Sequence, residues 1–210
     1  VLRGASPLGH RRGQLVFAPE LSLWDDGTIP FCPAAAICDD EGIPTQRTCL
    51  VSNGIVEGFI YDLQTAAEAG TPSTGNASRS LGSLPTPQVT ALIIDEGKTP
   101  FEEMLSSIRE GLVVEQVMGA SQGNILGGDF SGNVLLGYRV AHGQIIGRVK
   151  DTMISGNVYE VLRDGIIIGA SCDVALPRWE IAAIERVRSP ELVGVPSGSG
   201  TSDGGLLAHL

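Results

Sequence analysis

Basic residues are scarce. Lys and Arg number 14 against 24 Asp and Glu, a formal net charge of -10. Binding to nucleic acid draws its affinity from clustered Lys and Arg that displace counterions from phosphate. The one tight basic cluster is Arg11 and Arg12 beside His10, which reads as a solvated loop. Nucleic acid is therefore excluded as a ligand. No apolar run approaches the ~20 residues of a membrane helix, and no secretory signal pattern is present. No Cys-x-x-Cys pair occurs among the four cysteines, which argues against a structural zinc site. The three histidines, His10, His142 and His209, form no His-Glu-x-x-His pair, so no helix offers zinc two imidazoles on one face. A P-loop is absent. Gly123 to Gly132 lacks the following helix of a dinucleotide fingerprint. Ser197-Gly198-Ser199 is followed by no helix that would make it a nucleophile elbow. A self-contained catalytic motif is thus missing.

Aromatic residues amount to 5%, so any core must rest on Val, Ile, Leu and Ala. Cys49 and Cys172 sit in apolar, strand-like runs where free thiols are commonly buried. Reduced cysteines, an intracellular setting and a cytoplasmic location are expected. Asn76-Ala77-Ser78 matches a glycosylation acceptor, a short pattern that recurs by chance.

What is abundant is punctuation: 28 Gly and 12 Pro, which predict short elements and frequent turns. Strands are expected at Gln14 to Phe17, Leu21 to Trp24, Thr45 to Ser52, Ile55 to Tyr61 and Gln88 to Asp95. Asn53-Gly54 between two β-rich runs predicts a hairpin with a type I′ turn. Leu63 to Ala69 is Ala-rich and helical, with Gly70 as its stop. Thr71 to Pro87 reads as a long loop, of the kind that serves function or moves. The strongest helix signal begins at Thr99-Pro100, with Thr99 as cap and Glu102 and Glu103 at the positive end of the dipole. Phe101, Leu105 and Ile108 mark its apolar face, and Gly111 its end. Leu112 to Met118 is β-branched. A meander follows: Asp129 to Ser131, Val134 to Ala141, a turn at His142-Gly143, Gln144 to Lys150 and Thr152 to Ser155. Asn157 to Arg163 reads as a short helix, Ile166 to Ala170 and Trp179 to Arg188 as strands. The fold class is α+β and β-dominated, a mostly antiparallel sheet or barrel-like domain with one main helix and a few short ones. Residues 1–193 form this domain and residues 194–210 a Gly/Ser-rich tail. Because the chain opens on Val1 in a loop-like run, it reads as a segment of a longer protein.

Two acidic clusters stand out, Asp25-Asp26-Gly27 and Asp39-Asp40-Glu41-Gly42. Dense carboxylates bind Ca²⁺ or Mg²⁺, but neither cluster has the alternating spacing of an EF-hand loop. Acidic turns capped by glycine are the favoured account, and a buried carboxylate accepting backbone N–H bonds would look the same in sequence.

Seven stretches in order resemble the C-terminal half of the TldD/PmbA family, also called modulators of DNA gyrase. They are Leu23 to Thr28, Asp40 to Thr48, Ser52 to Asp62, Ser73 to Arg79, Gly111 to Val114 with Met118-Gly119, Gly128 to Ser131, and Ile154 to Asn157. The resemblance spans about residue 6 to residue 190. It implies a metallopeptidase relationship. Catalytic members hold zinc with a His-Glu-x-x-x-His helix, which would lie around or before Val1, and with a cysteine of a Cys-Gly-Lys stretch. Ser171-Cys172-Asp173 stands in that region without Gly-Lys, so the ligand role is not carried to Cys172.

Gly111 to Val114, Gly128 to Ser131 and Ser155 to Asn157 look more like the PmbA/TldE branch, which lacks the zinc motif and partners a TldD peptidase in handling peptides. The resemblance implies a homodimer or a heterodimer with a TldD-like subunit, a peptide substrate, and no catalytic residue or cofactor within this stretch. Zinc would come from a partner subunit or an upstream part. The family-motif residues Asp40, Glu41, Gly42, Gly75, Asn76, Arg79, Asp129, Ser131, Gly156 and Asn157 are the candidates for a substrate or interface role. Two alternatives stand beside this one: a zinc peptidase whose helix lies upstream, and a purely structural assembly module.

Overall fold

A computed structural model of the chain describes residues 6–121, 124–164 and 166–170, with the backbone of 182–184 and 205–208. The chain divides into two compact units, residues 1–95 and 96–210.

The first unit opens with β1 (Leu23–Asp26), which pairs with β2 (Arg47–Ser52). Asn53 (φ 48°) and Gly54 (φ 78°) then reverse the chain into β3 (Ile55–Val56), as the Asn-Gly signal predicts. β3 is shorter than expected. The amides of Glu57 and Gly58 both turn to the Leu50 carbonyl, which ends the ladder after two residues. Next comes α1 (Leu63–Ala69), with Asp62 and Thr65 forming a capping box and Gly70 (φ 66°) stopping it. Within the long loop, β4 (Ala77–Ser78) and β5 (Thr86–Pro87) make a two-residue ladder. β6 (Leu92–Ile94) completes a sheet of order β3-β2-β1-β6. The strand expected over Gln88 to Asp95 loses its first half, because the amides of Thr90 and Ala91 bond to the Asp25 carboxylate instead of a neighbouring strand. The strand expected at Gln14 to Phe17 is reduced to one bridge, Leu15 to Ile55. Leu21, Val51, Val56 and Ala66 are buried here.

The second unit holds α2 (Phe101–Ser107). Its cap differs from expectation: Pro100 occupies the N-cap, no side chain caps it, and the helix ends at Ile108 rather than Gly111. Thr99 is instead drawn into a bridge with Gly169, its carbonyl accepting from the Ala170 amide. The long strands are β7 (Glu110–Met118) and β8 (Asp129–Ala141). β8 runs unbroken where two strands are expected. Gly132 does not turn the chain; a Cβ there would lie 3.0 Å from the Met118 carbonyl oxygen, so glycine serves close packing. His142 (φ 51°) and Gly143 form the expected turn into β9 (Gln144–Arg148). β10 (Met153–Asn157), α3 (Val158–Arg163) and β11 (Ile166–Ile168) follow. β12 (Ala182–Ile184) lies inside the expected Trp179 to Arg188 strand, whose remainder is outside the described residues. Within the expected tail, β13 (Gly205–Ala208) pairs in parallel with β7, and residues 194–204, 209 and 210 are outside the described residues.

The sheet order is β10-β8-β7-β13-β12-β11, with β9 also on β8. Both sheets are open, mostly antiparallel, and close into no barrel among the described residues. β7 is central and buries four consecutive residues, Gly111 to Val114, so side chains on both its faces are covered. Val113 packs with Met104, Ile108 and Val140; Leu112 and Val114 pack with Val134 and Ile154.

Candidate functional site

The ten candidate residues fall into two sets, one in each unit. In the first unit the Asp-Glu-Gly loop and the Thr-Gly-Asn loop interlock. Asp39 folds its own turn: one carboxylate oxygen accepts from the amides of Glu41 (3.0 Å) and Ile43 (2.9 Å), with Gly42 at φ 79°. Its other oxygen accepts from the Ala77 amide at 2.9 Å. Asp40 accepts from the Arg79 amide at 2.8 Å, and its own amide donates to the Ala77 carbonyl at 3.1 Å. Glu41 reaches the first amide of α1, Leu63, at 2.8 Å, where a negative charge is favoured. Gly75 (φ 69°) lies against the Pro44 carbonyl so closely that a Cβ would collide with it.

Beneath this latch Asp25 is buried, and it receives the amides of Thr90 (2.8 Å) and Ala91 (2.9 Å) and the side-chain amide of Asn76. Asn76 also donates towards the Gln88 carbonyl and the Thr90 hydroxyl, each at 3.2 Å. Asn76 is therefore buried, and glycosylation of its acceptor motif is incompatible with the folded unit. Asp25, inside the Leu23 to Thr28 stretch but outside the ten candidates, is the keystone. Its signal in the sequence is the second explanation of the acidic clusters, a carboxylate spent on backbone amides.

In the second unit Asn157 donates to Asp129 (2.8 Å) and to the Gly127 carbonyl (2.7 Å), while its oxygen accepts from the amides of Tyr159 and Glu160 as the cap of α3. Gly156 lies across the ladder from Phe130, where a Cβ would stand 3.1 Å from the ring. Ser131 pairs with Ser155 across β8 and β10 and points its hydroxyl at the Met153 sulfur, 3.5 Å away. This set ties a strand end to a helix start.

Beside the latch, Arg47 stacks on Trp24 with its guanidinium carbon 4.1 Å from the ring centroid, and pairs with Asp95 at 3.4 Å. Trp24 donates to Asp95 at 2.9 Å. Cys49, opposite Trp24 in the ladder, has its thiol pKa pushed up by burial, then by Glu57 and Asp95, with Arg47 opposing. Cys32, Cys38 and Cys49 are free thiols; Cys172 lies outside the described residues.

Chemically the latch is a scaffold. Its carboxylates accept from amides, which leaves them poorly placed as bases or ligands. The described residues gather no group of three or more His, Cys, Asp or Glu side chains able to hold a metal ion. Two buried side-chain atoms without a partner, Thr48 Oγ1 and Asn76 Oδ1, are neutral oxygens rather than the nitrogen and sulfur donors zinc selects. The described residues therefore do not fit a zinc site.

Residues 1–197 match the model of the PmbA/TldA metallopeptidase C-terminal domain. An uncharacterized protein of Methanocaldococcus jannaschii is 34% identical over 166 residues, covering 79% of this chain and 39% of that protein. The metalloprotease TldD homolog of Haemophilus influenzae is 31% identical over 152 residues, covering 72% of this chain and 31% of that protein. The chain thus spans between 31% and 39% of the length of these two relatives. Among solved structures, TldE from Thermococcus kodakarensis superposes with a TM-score of 0.71 at 24% identity, over 99% of this chain and 41% of that one; at that identity it shows a shared fold. A candidate DNA gyrase modulator from Thermotoga maritima gives 0.67 at 31% identity, over 80% and 40%.

Proposed function

The chain belongs to the PmbA/TldD family of metallopeptidase-like proteins, as its C-terminal domain, and from that premise we propose that it serves a PmbA/TldE-like, zinc-free subunit of a peptidase assembly, shaping substrate access and subunit pairing. The observation that carries this reading is the latch. The family-motif carboxylates Asp40 and Glu41, with Asp39 beside them, hold backbone amides of neighbouring segments, so these loops are built as scaffold and the hydrolytic chemistry is left to a metal held elsewhere. Cys172 followed by Asp173 instead of Gly-Lys supports the same reading. The peptide would be taken up as an extended strand, and β9, exposed along its whole length, offers an edge of the kind such segments use. A cytoplasmic location accords with the free thiols.

The test is co-purification of the whole protein with a TldD-like subunit of the same organism, followed by peptidase assay. A stable complex that cleaves peptides, with the whole protein inert by itself, is the expected result. The absence of both a complex and activity would sink the proposal.

A second reading has an observation in its favour: the Haemophilus influenzae relative is named a metalloprotease. The whole protein would then be a zinc peptidase with its His-Glu-x-x-x-His helix upstream of Val1. Zinc content separates the two, near one ion per whole protein for the peptidase and near zero for the zinc-free subunit.

A further inference from the structure

Large apolar side chains are exposed in both units, but the degree differs sharply with position. Phe31 and Leu81 are fully exposed, Ile37 is 93% exposed and Leu84 81%; every other exposed large hydrophobic of the described residues lies between 41% and 62%. These four occupy two loops of the first unit. Phe31 and Ile37 lie in the loop between β1 and β2, Leu81 and Leu84 in the loop between β4 and β5. The bases of the two loops are the latch: Asp40 and Ala77 exchange a backbone bond, and Asp39 and Asp40 hold the amides of Ala77 and Arg79. Phe31 is also held at φ 62°, a conformation unfavourable for a bulky residue. Between Gly27–Phe31 and Ala35–Ile37 lies an open cleft of about 390 Å³.

Such side chains are costly to leave in water, and a rigid base holds them out. We infer that the two loops form a docking surface for a folded protein partner whose face carries apolar pockets rimmed by Lys and Arg. Shape selects a folded partner over a peptide: the four side chains project as knobs, and knobs are received by pockets. Charge selects a basic partner over a second copy of this chain. From Gly27 to Thr45 the charged residues are Asp39, Asp40 and Glu41, and from Thr71 to Pro87 the one charged residue is Arg79. The three carboxylates take part in no ion pair among the described residues, so the two loops together carry net negative charge with Arg79 as their one cation. A second copy would set like charges against one another, which opposes association.

This inference rests on the subunit-pairing reading above and adds the surface and its chemistry. The probe is the TldD-like subunit of the same organism, titrated against the whole protein carrying F31S/I37S or L81S/L84S, with I125S/L126S, between β7 and β8, as control. The substituted positions are exposed, so melting temperatures should match wild type. Each loop pair is expected to raise Kd at least about tenfold, the control to leave it unchanged, and added salt to weaken wild-type binding. Wild-type binding that neither loop pair weakens overturns this surface while leaving subunit pairing intact. Binding insensitive to salt overturns the basic rim. Homodimers that the loop variants dissolve would make a second copy the occupant, against the inference. Resistance of the Phe31→Cys variant to thiol labelling at position 31 in the isolated whole protein would mean intramolecular cover, also against it. Wild type that binds nothing removes the pairing reading, and this surface with it.

Discussion

The two units hold their chains by different means. In the first, loops between short strands are pinned by carboxylates on backbone amides, and the buried Asp25 carboxylate takes two of those amides. In the second, β7 and β8 run long, and β-branched and Met side chains pack on both faces of the sheet. The difference follows from punctuation. Proline-rich and glycine-rich stretches from Pro30 to Pro44 and Thr71 to Pro87 can form few ladder bonds, so their amides need other acceptors. The consequence is directional: a carboxylate latch fixes loop geometry bond by bond, whereas an apolar core fixes only volume and pattern.

The sharpest test of the contrast is a pair of truncations. Asp25→Ala strands the amides of Thr90 and Ala91 and the side chain of Asn76, at a cost of about 3–5 kcal/mol. Met104→Ala, from the apolar side of the second unit, costs about 3 kcal/mol through its cavity. Hydrogen exchange separates the two. Asp25→Ala should accelerate exchange at Thr90 and Ala91 and leave β7 protected; Met104→Ala should do the reverse. Equal loosening of both units by either variant would mean that they do not unfold separately.

A smaller effect distinguishes two glycines of the same latch. Gly75→Ala combines a positive φ with a collision against the Pro44 carbonyl and should cost about 2–3 kcal/mol. Gly42→Ala has a positive φ but open space around the new Cβ, and should cost about 1 kcal/mol. Thermal unfolding of both variants checks the ranking; similar losses would show that the Pro44 contact relaxes easily. In the second unit Asn157→Ala removes the cap of α3 and the bond to Asp129, for about 1–2 kcal/mol.

These comparisons also show what could be read from the sequence. Asn53-Gly54, Gly70 and His142-Gly143 were legible because each turn is fixed by residues adjacent in the chain. α2 was legible as a helix by its apolar spacing, but its cap was not, since Thr99 is claimed by Gly169 seventy residues on. β8 read as two strands because Gly132 signals a turn locally, and only its closeness to Met118 shows otherwise. The candidate residues resolved into scaffold for the same reason. Sequence shows that Asp39, Asp40 and Asn76 are present; their partners, Ala77, Arg79 and Asp25, are distant and chosen by the fold.

The smallest expected effect concerns Cys49, where burial and the neighbouring carboxylates hold the thiol pKa above its ordinary 9.0. A thiol with a raised folded-state pKa keeps its proton more tightly folded than unfolded. The stability it contributes is therefore complete below the unfolded value and is lost as pH rises through the folded one, a window that opens only above about pH 9. At neutral pH the consequence is kinetic: Cys49 carries less thiolate than an ordinary thiol and is less accessible than the exposed Cys38, hence slower alkylation by iodoacetamide. Arg47 is the one cation favouring the thiolate, and it is about half exposed, so Arg47→Ala should slow Cys49 further by no more than about threefold, in keeping with a screened surface charge. Mass spectrometry of the labelled peptides reads both rates. A Cys49 that outpaces Cys38 would mean that β1 and β2 open readily, and that the latch stiffens the loops without stiffening the sheet beneath them.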